Sequence, residues 1–92
     1  GVAGAASGLD VSCNPCRQAI RFAPSGAAAW GGVTVFDALG RRVRGLAAGV
    51  SSWDLRDADG ARVPAGVYWL RAVPLPGTAL AAPRPTRIVV LP

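Results

Sequence analysis

Histidine, glutamate, lysine and methionine are absent from the 92-residue sequence, so ten arginines and five aspartates are its only charged side chains. Without His, Glu or Lys, the chain lacks the residues that most often act as general acids and bases. Its serines and its two cysteines have no visible activating base. We therefore expect a protein that is not an enzyme and that uses no cofactor.

Long helices and membrane spans are also excluded by what the sequence lacks. Twelve glycines and eight prolines interrupt the chain at short intervals, and each costs a helix interior roughly 1 or 3 kcal/mol. No apolar run approaches the ~18 residues that suggest a membrane span. The 51% of hydrophobic and 16% of charged residues indicate one small folded domain. A mean hydropathy of +0.34 further predicts that a partner or a neighbouring domain covers some apolar surface.

Seven short segments have the alternating or apolar pattern of β-strands between turn residues. This count predicts an all-β protein, an immunoglobulin-like β-sandwich of about seven short antiparallel strands over residues 9–92. The small residues at positions 1–8 indicate a linker or a flexible N-terminal arm. The predicted strands cover residues 9–12, 17–23, 30–36, 41–46, 50–55, 67–73 and 87–91. The side chains expected in the core are Ile20, Phe22, Val35, Val43, Trp53, Tyr68 and Leu70.

Turn residues separate the predicted strands. Residues 24–26 are expected to form a turn, and residues 37–40 join the third and fourth strands as a β-hairpin in which Gly40 suits a positive φ. Residues 74–85 contain four prolines and predict a long, stiff loop.

The order of the turn and strand motifs resembles a known family. The first half carries Asn14-Pro15, Ile20-Arg21-Phe22, and the run from Val33 to Arg44 that includes Asp37, Gly40 and Arg41. The second half carries Trp53-Asp54, Asp57-Ala58-Asp59-Gly60, the run from Val63 to Tyr68 that includes Gly66, and the closing run from Thr86 to Val90. In this order and at these intervals, the motifs resemble the FlgD-type immunoglobulin-like domain and the C-terminal sorting domain of type IX secretion substrates. Leu55 stands where the family usually has a glycine.

The resemblance covers about residues 9–92 and implies a non-catalytic extracellular module at the C-terminus of an exported bacterial protein. Such a module is secreted or held at the cell surface. Its partner would be the secretion machinery, if it sorts its host protein, or a neighbouring domain of the same chain, if it packs as FlgD-type domains do.

Two other functions stay open. The chain could be a self-assembling subunit of an extracellular filament, in which the apolar arm of residues 1–11 adds a strand to the next copy. It could also be a carbohydrate-binding accessory domain, for which exposed aromatic side chains in a row are needed and only Trp30 and Trp69 are free to serve.

The aspartates of the motifs have a structural and a metal-binding interpretation. Asp37 can accept hydrogen bonds from the backbone of its own turn, and Asp54, Asp57 and Asp59 can do so for the turn that follows. The last three, with Gly60, also resemble a calcium loop. Leu55 and the absence of glutamate break that pattern, which favours the structural role and predicts no metal site.

The remaining motif residues are expected to be structural as well. Gly40 and Gly66 allow backbone angles at which a side chain would clash. Trp53 and Tyr68 supply large core area, and each has a polar edge that needs a partner.

Cys13 and Cys16 flank Asn14-Pro15 in a C-x-x-C motif. A redox-active pair needs the first cysteine at a helix N-terminus, whereas a β-alternating segment follows here. A zinc site needs four ligands, and the chain offers two cysteines and no histidine. A local disulfide, if the protein is exported, and two reduced thiols remain as alternatives.

Arg41, Arg42 and Arg44 cluster on the predicted hairpin, in a chain of net charge +5. A basic cluster can bind nucleic acid, but the other arginines are spread over outward strand positions without interleaved aromatics. The pattern favours a solvated basic face, and no nucleic-acid partner is expected.

Overall fold

The computed structural model describes residues 9–24, 30–74 and 84–92 of the chain. Some of the sequence predictions therefore lie outside the described residues. These are the linker or arm at residues 1–8, most of the turn at residues 24–26 and most of the loop at residues 74–85.

The described part of the chain contains seven strands, and their pairings are all antiparallel. No helix occurs in residues 9–24, 30–74 and 84–92, so none there is long and apolar enough to cross a membrane. The prediction of an all-β, immunoglobulin-like sandwich of about seven strands is confirmed. The strands are β1 (Leu9–Val11), β2 (Ile20–Pro24), β3 (Trp30–Asp37), β4 (Arg42–Ala47), β5 (Ser52–Trp53), β6 (Gly66–Pro74) and β7 (Thr86–Val90).

The strands form two sheets, in the orders β1-β2-β5 and β4-β3-β6-β7. The predicted β3–β4 hairpin is present. The ladder between β3 and β6 places Trp30 opposite Pro74 at one end and Asp37 opposite Tyr68 at the other. β5 is only two residues long, and its Trp53 lies opposite Ile20 of β2.

Apolar side chains from both sheets form the core, as alternation along the strands requires. In β6, Tyr68, Leu70 and Ala72 are buried, which is the face that the alternation predicts. The core cluster also draws residues from outside the strands, notably Cys16, Leu55 and Val63. Its other members are Leu9, Ile20, Phe22, Val33, Val35, Leu46, Trp53, Tyr68, Leu70, Ile88 and Val90.

Val43 is the predicted core residue that is only partly buried. The register of β4 shifts between Val35 and Phe36, which lie opposite Arg44 and Arg42 respectively. Val43 is therefore the extra residue of a β-bulge. The bulge interrupts the period-two pattern from which its burial was predicted, and Val43 packs against the core from its margin.

Candidate functional site

Motif residues from distant parts of the sequence meet at one end of the sandwich. The register that sets Asp37 beside Tyr68 brings the β3–β4 turn next to the segments before β6. Together they line an open groove of about 570 Å³. The predicted site residues that line it are Asp37, Arg41, Asp57, Asp59, Gly66 and Tyr68.

The β3–β4 turn is organised by the carboxylate of Asp37. Its Oδ1 accepts hydrogen bonds from the backbone N–H groups of Leu39 and Arg41, both at 2.9 Å. Its Oδ2 pairs with Nε of Arg41 at 2.9 Å. Gly40, at φ +81°, donates its N–H to the carbonyl of Asp37 at 3.0 Å. The donors that contact the carboxylate favour its ionised form, and the backbone N–H of Arg41 contributes most to lowering the pKa of Asp37 below 3.8.

The turn after β5 repeats this design around Asp57. Its Oδ1 accepts hydrogen bonds from the N–H groups of Asp59 at 2.9 Å and Ala61 at 3.0 Å. Gly60, at φ +86°, donates to the carbonyl of Asp57 at 3.0 Å. Both turns share the sequence Asp-Ala-x-Gly, so the same short motif closes two sides of the groove.

Asp54 holds a third part of this end, through Arg44. Oδ1 of Asp54 accepts hydrogen bonds from the backbone N–H of Arg56 at 3.1 Å and from Nη1 of Arg44 at 3.2 Å. The same Nη1 lies 3.1 Å from the carbonyl of Arg56 and 3.3 Å from that of Asp57. Arg44 therefore ties β4 of one sheet to the segment that follows β5 of the other.

The three hairpin arginines engage three different neighbours. Arg41 pairs with Asp37 and Arg44 with Asp54, while the guanidinium of Arg42 lies over Gly45, where a Cβ would collide with it. Arg41 and Arg44 thus have carboxylate partners within the domain, while the side chain of Arg41 is still 74% exposed.

Trp53 and Tyr68 join the two sheets beneath the groove. Their rings pack edge-on, with centroids 5.7 Å apart at 72°. The polar edge of each finds a backbone acceptor: Nε1 of Trp53 donates to the carbonyl of Arg56 at 2.9 Å, and the hydroxyl of Tyr68 to that of Pro64 at 2.6 Å. Burial, with the nearby charge of Asp37, raises the pKa of Tyr68 above 10.0.

Asp59 differs from the other motif aspartates. Among the residues that the structure describes, none donates a hydrogen bond to its carboxylate. In the same part of the chain, no group of three His, Cys, Asp or Glu side chains could hold a metal ion. The carboxylates of Asp37, Asp54 and Asp57 serve instead as acceptors for their own backbone.

The Cys13–Cys16 segment lies along the side of the sandwich, beside β7. The two sulfur atoms are bonded, with the Cα atoms 5.3 Å apart. Asn14 and Pro15 are exposed and joined by a cis peptide bond. Asn14 and Cys16 both bond to the backbone of β7. Cys16 is also 1% exposed and belongs to the core, a role that the sequence did not indicate.

Two residues that shape this end of the sandwich were not identified from the sequence. Within the described ranges, Leu55 is the one non-glycine residue with a positive φ, at +61°. Its side chain is also buried, at 1% exposed. Arg62 donates to the carbonyls of Arg17 at 2.8 Å and Leu91 at 3.2 Å, which ties three segments together. For Leu55 the available signal was the leucine at a position where the family that the sequence resembles usually has glycine. No pattern signals Arg62.

Trp69, one of the two aromatic candidates for carbohydrate binding, is not part of an exposed row among the described side chains. Trp69 is half-buried, and it lies opposite the half-buried Phe36. The side chain of Trp30 lies outside the description. The other aromatic side chains that the structure describes are buried.

Comparison with known proteins places this fold beside two solved structures. One is of PorZ, an essential bacterial surface component of the type-IX secretion system of the human oral-microbiomic Porphyromonas gingivalis. It is 25% identical to the chain, with a TM-score of 0.69, and the match covers 92% of this chain and 12% of PorZ.

The other structure is of dimeric latent PorU from Porphyromonas gingivalis. It is 22% identical, with a TM-score of 0.67 over 91% of this chain and 9% of PorU, and at that identity it shows the fold alone. The chain therefore spans a small part of the length of either protein. No protein-family model matches the chain, and neither does any curated protein sequence.

Proposed function

We propose that this domain is a non-catalytic module of a secreted or cell-surface bacterial protein, and that it acts as a sorting domain for type IX secretion. The match to PorZ over 92% of this chain, at a TM-score of 0.69, carries the proposal. The order of motifs that resembles type IX sorting domains supports it. The Cys13–Cys16 bond agrees with export, since disulfides persist in oxidising compartments.

The geometry of the groove supports a recognition role rather than a catalytic one. The carboxylates of Asp37 and Asp57 are committed to backbone N–H groups, so they fix the shape of the turns. Leu39, at the tip of the first turn, is 78% exposed. Rigid turns that present an apolar tip beside a groove suit contact with another protein.

A reporter fusion tests the sorting function. A periplasm-targeted reporter, followed by the 92 residues, is expressed in a bacterium with type IX secretion and in an isogenic strain that lacks PorZ. We expect the reporter at the cell surface or in the medium only in the first strain. The control fusion carries an unrelated β-sandwich of similar size and stays in the periplasm. A folded domain that leaves the reporter in the periplasm of both strains would overturn the proposal.

A second candidate function is structural packing on a neighbouring domain of the same chain, as the resemblance to FlgD-type domains implies. The outward face of the β4-β3-β6-β7 sheet favours it, because Phe36, Trp69 and Val89 are half-buried there. Arg71 and Arg87 lie on the same face. For this function, a Trp69→Asp fusion stays sorted as the unchanged fusion does, whereas the host protein loses its domain contact in limited proteolysis.

A further inference from the structure

The outer edge of β7 is occupied by the Cys13–Cys16 loop. β7 is a terminal strand of its sheet, so one side of its backbone has no strand partner among the residues that the structure describes. Such an edge exposes N–H and C=O groups that can pair with another chain. Along β7 and the residue that follows it, four consecutive outward groups are nevertheless bonded, from the carbonyl of Arg87 to the N–H of Leu91.

Asn14 fills the first two of these four positions with its side chain. Its Nδ2 donates to the carbonyl of Arg87, and its Oδ1 accepts from the N–H of Val89, both at 3.0 Å. A carboxamide has one donor side and one acceptor side, as a backbone peptide group has. The side chain of Asn14 therefore makes the two hydrogen bonds that one residue of a neighbouring strand would make.

Cys16 continues the pairing with its own backbone. Its N–H donates to the carbonyl of Val89, and its carbonyl accepts from the N–H of Leu91, both at 2.7 Å. This two-residue substitute strand covers the apolar run Ile88 to Leu91. Apolar β-segments with an open edge are the ones that associate.

We propose that the Cys13–Cys16 loop is an edge guard, which keeps β7 from pairing with β7 of a second copy of this chain. The charge pattern of β7 indicates that a second β7 is a suitable partner for this edge. When two copies pair antiparallel with Val89 opposite Val89, Arg87 faces Leu91 on both sides. No like charges then lie opposite each other along β7, so charge repulsion within the strand does not oppose the pairing.

Asn14→Ala in the full 92-residue chain tests the guard. Loss of the carboxamide frees the N–H of Val89, and we expect the rate of its hydrogen exchange in dilute protein to rise about tenfold. The exchange rate of Ile88, whose N–H faces β6, should not change. Only the two backbone hydrogen bonds of Cys16 then hold the loop to this edge, and we expect a second copy to displace them, so light scattering coupled to size-exclusion chromatography should show a dimer as concentration increases. Ser12→Ala is the matched control, because Ser12 accepts from the N–H of Arg21 on the other sheet at 2.9 Å, and it should stay monomeric.

A second substitution identifies the edge. Proline at an outward N–H position of a terminal strand blocks pairing without removing a bond to the inner neighbour. The double variant Asn14→Ala with Val89→Pro should therefore return to a monomer, with its β-sheet circular dichroism retained. A monomeric Asn14→Ala variant at all concentrations would overturn the proposal, and so would a dimer that persists in the double variant.

Discussion

The ring of Trp53 packs edge-on against the ring of Tyr68, with centroids 5.7 Å apart. Trp53 belongs to β5 and Tyr68 to β6, so this pair joins the two sheets at the end where the motif turns meet. Each ring also fixes a nearby loop through its polar edge, at the carbonyls of Arg56 and Pro64. The contact therefore links the stability of the core to the shape of the groove.

Trp53→Ala is expected to lower the free energy of unfolding by roughly 3–5 kcal/mol, because the fully buried ring leaves a cavity. Tyr68→Phe removes only the hydrogen bond to Pro64 and should cost about 1 kcal/mol. Urea titrations followed by circular dichroism measure both. A loss below about 1 kcal/mol for Trp53→Ala would be inconsistent with its complete burial.

Alternation and turn chemistry explain how much of the fold was predictable. Tyr68, Leu70 and Ala72 follow the period of two, and Asp37 and Asp57 precede turn glycines, so those strands and turns are local properties of the sequence. Val43 and Cys16 are not local cases. The first is displaced by a bulge, and the second is buried by β7 from the far end of the chain. Contacts of that range leave no pattern in the segment itself.

Because of Asp37, the free energy of unfolding should fall at acid pH. Its folded-state pKa lies below 3.8, so the stabilisation that it supplies is complete above that value and is lost as the pH falls through the lower folded-state pKa. Asp37→Asn should therefore flatten the loss of stability below pH 3.8, as measured by urea titration at a series of pH values.

Asp59→Asn is the matched control for this measurement, because no residue in the described part of the chain donates a hydrogen bond to the Asp59 carboxylate. It makes the same substitution without removing a hydrogen-bond acceptor, so its urea titrations are compared with those of Asp37→Asn at each pH. An Asp37→Asn protein whose acid dependence equals that of the unchanged protein would show that the turn does not depend on the ionised carboxylate.

Cys13 and Cys16 should resist alkylation in protein purified from an oxidising compartment. Because their sulfur atoms are bonded, we expect no labelling by iodoacetamide even after unfolding in urea, and labelling of both after reduction in urea. Mass spectrometry counts the added groups. Labelling of both residues in unfolded, unreduced protein would show two free thiols. The closed loop is short, so the entropic part of the stabilisation should be small.

Leu55 combines a demanding backbone with a buried side chain. At φ +61°, a side chain costs roughly 1–2 kcal/mol that glycine avoids, but the Leu55 side chain is 1% exposed and its loss costs roughly 2–5 kcal/mol. Leu55→Gly should therefore be less stable than the unchanged protein, even though the family that the sequence resembles usually has glycine at this position. Leu55→Ala loses the same packing and keeps the strained backbone. It should be less stable than Leu55→Gly by about 1 kcal/mol, the reverse of the usual order within a strand. Urea titration of the three proteins measures this order, and an alanine variant at least as stable as the glycine variant would contradict a left-handed backbone at Leu55.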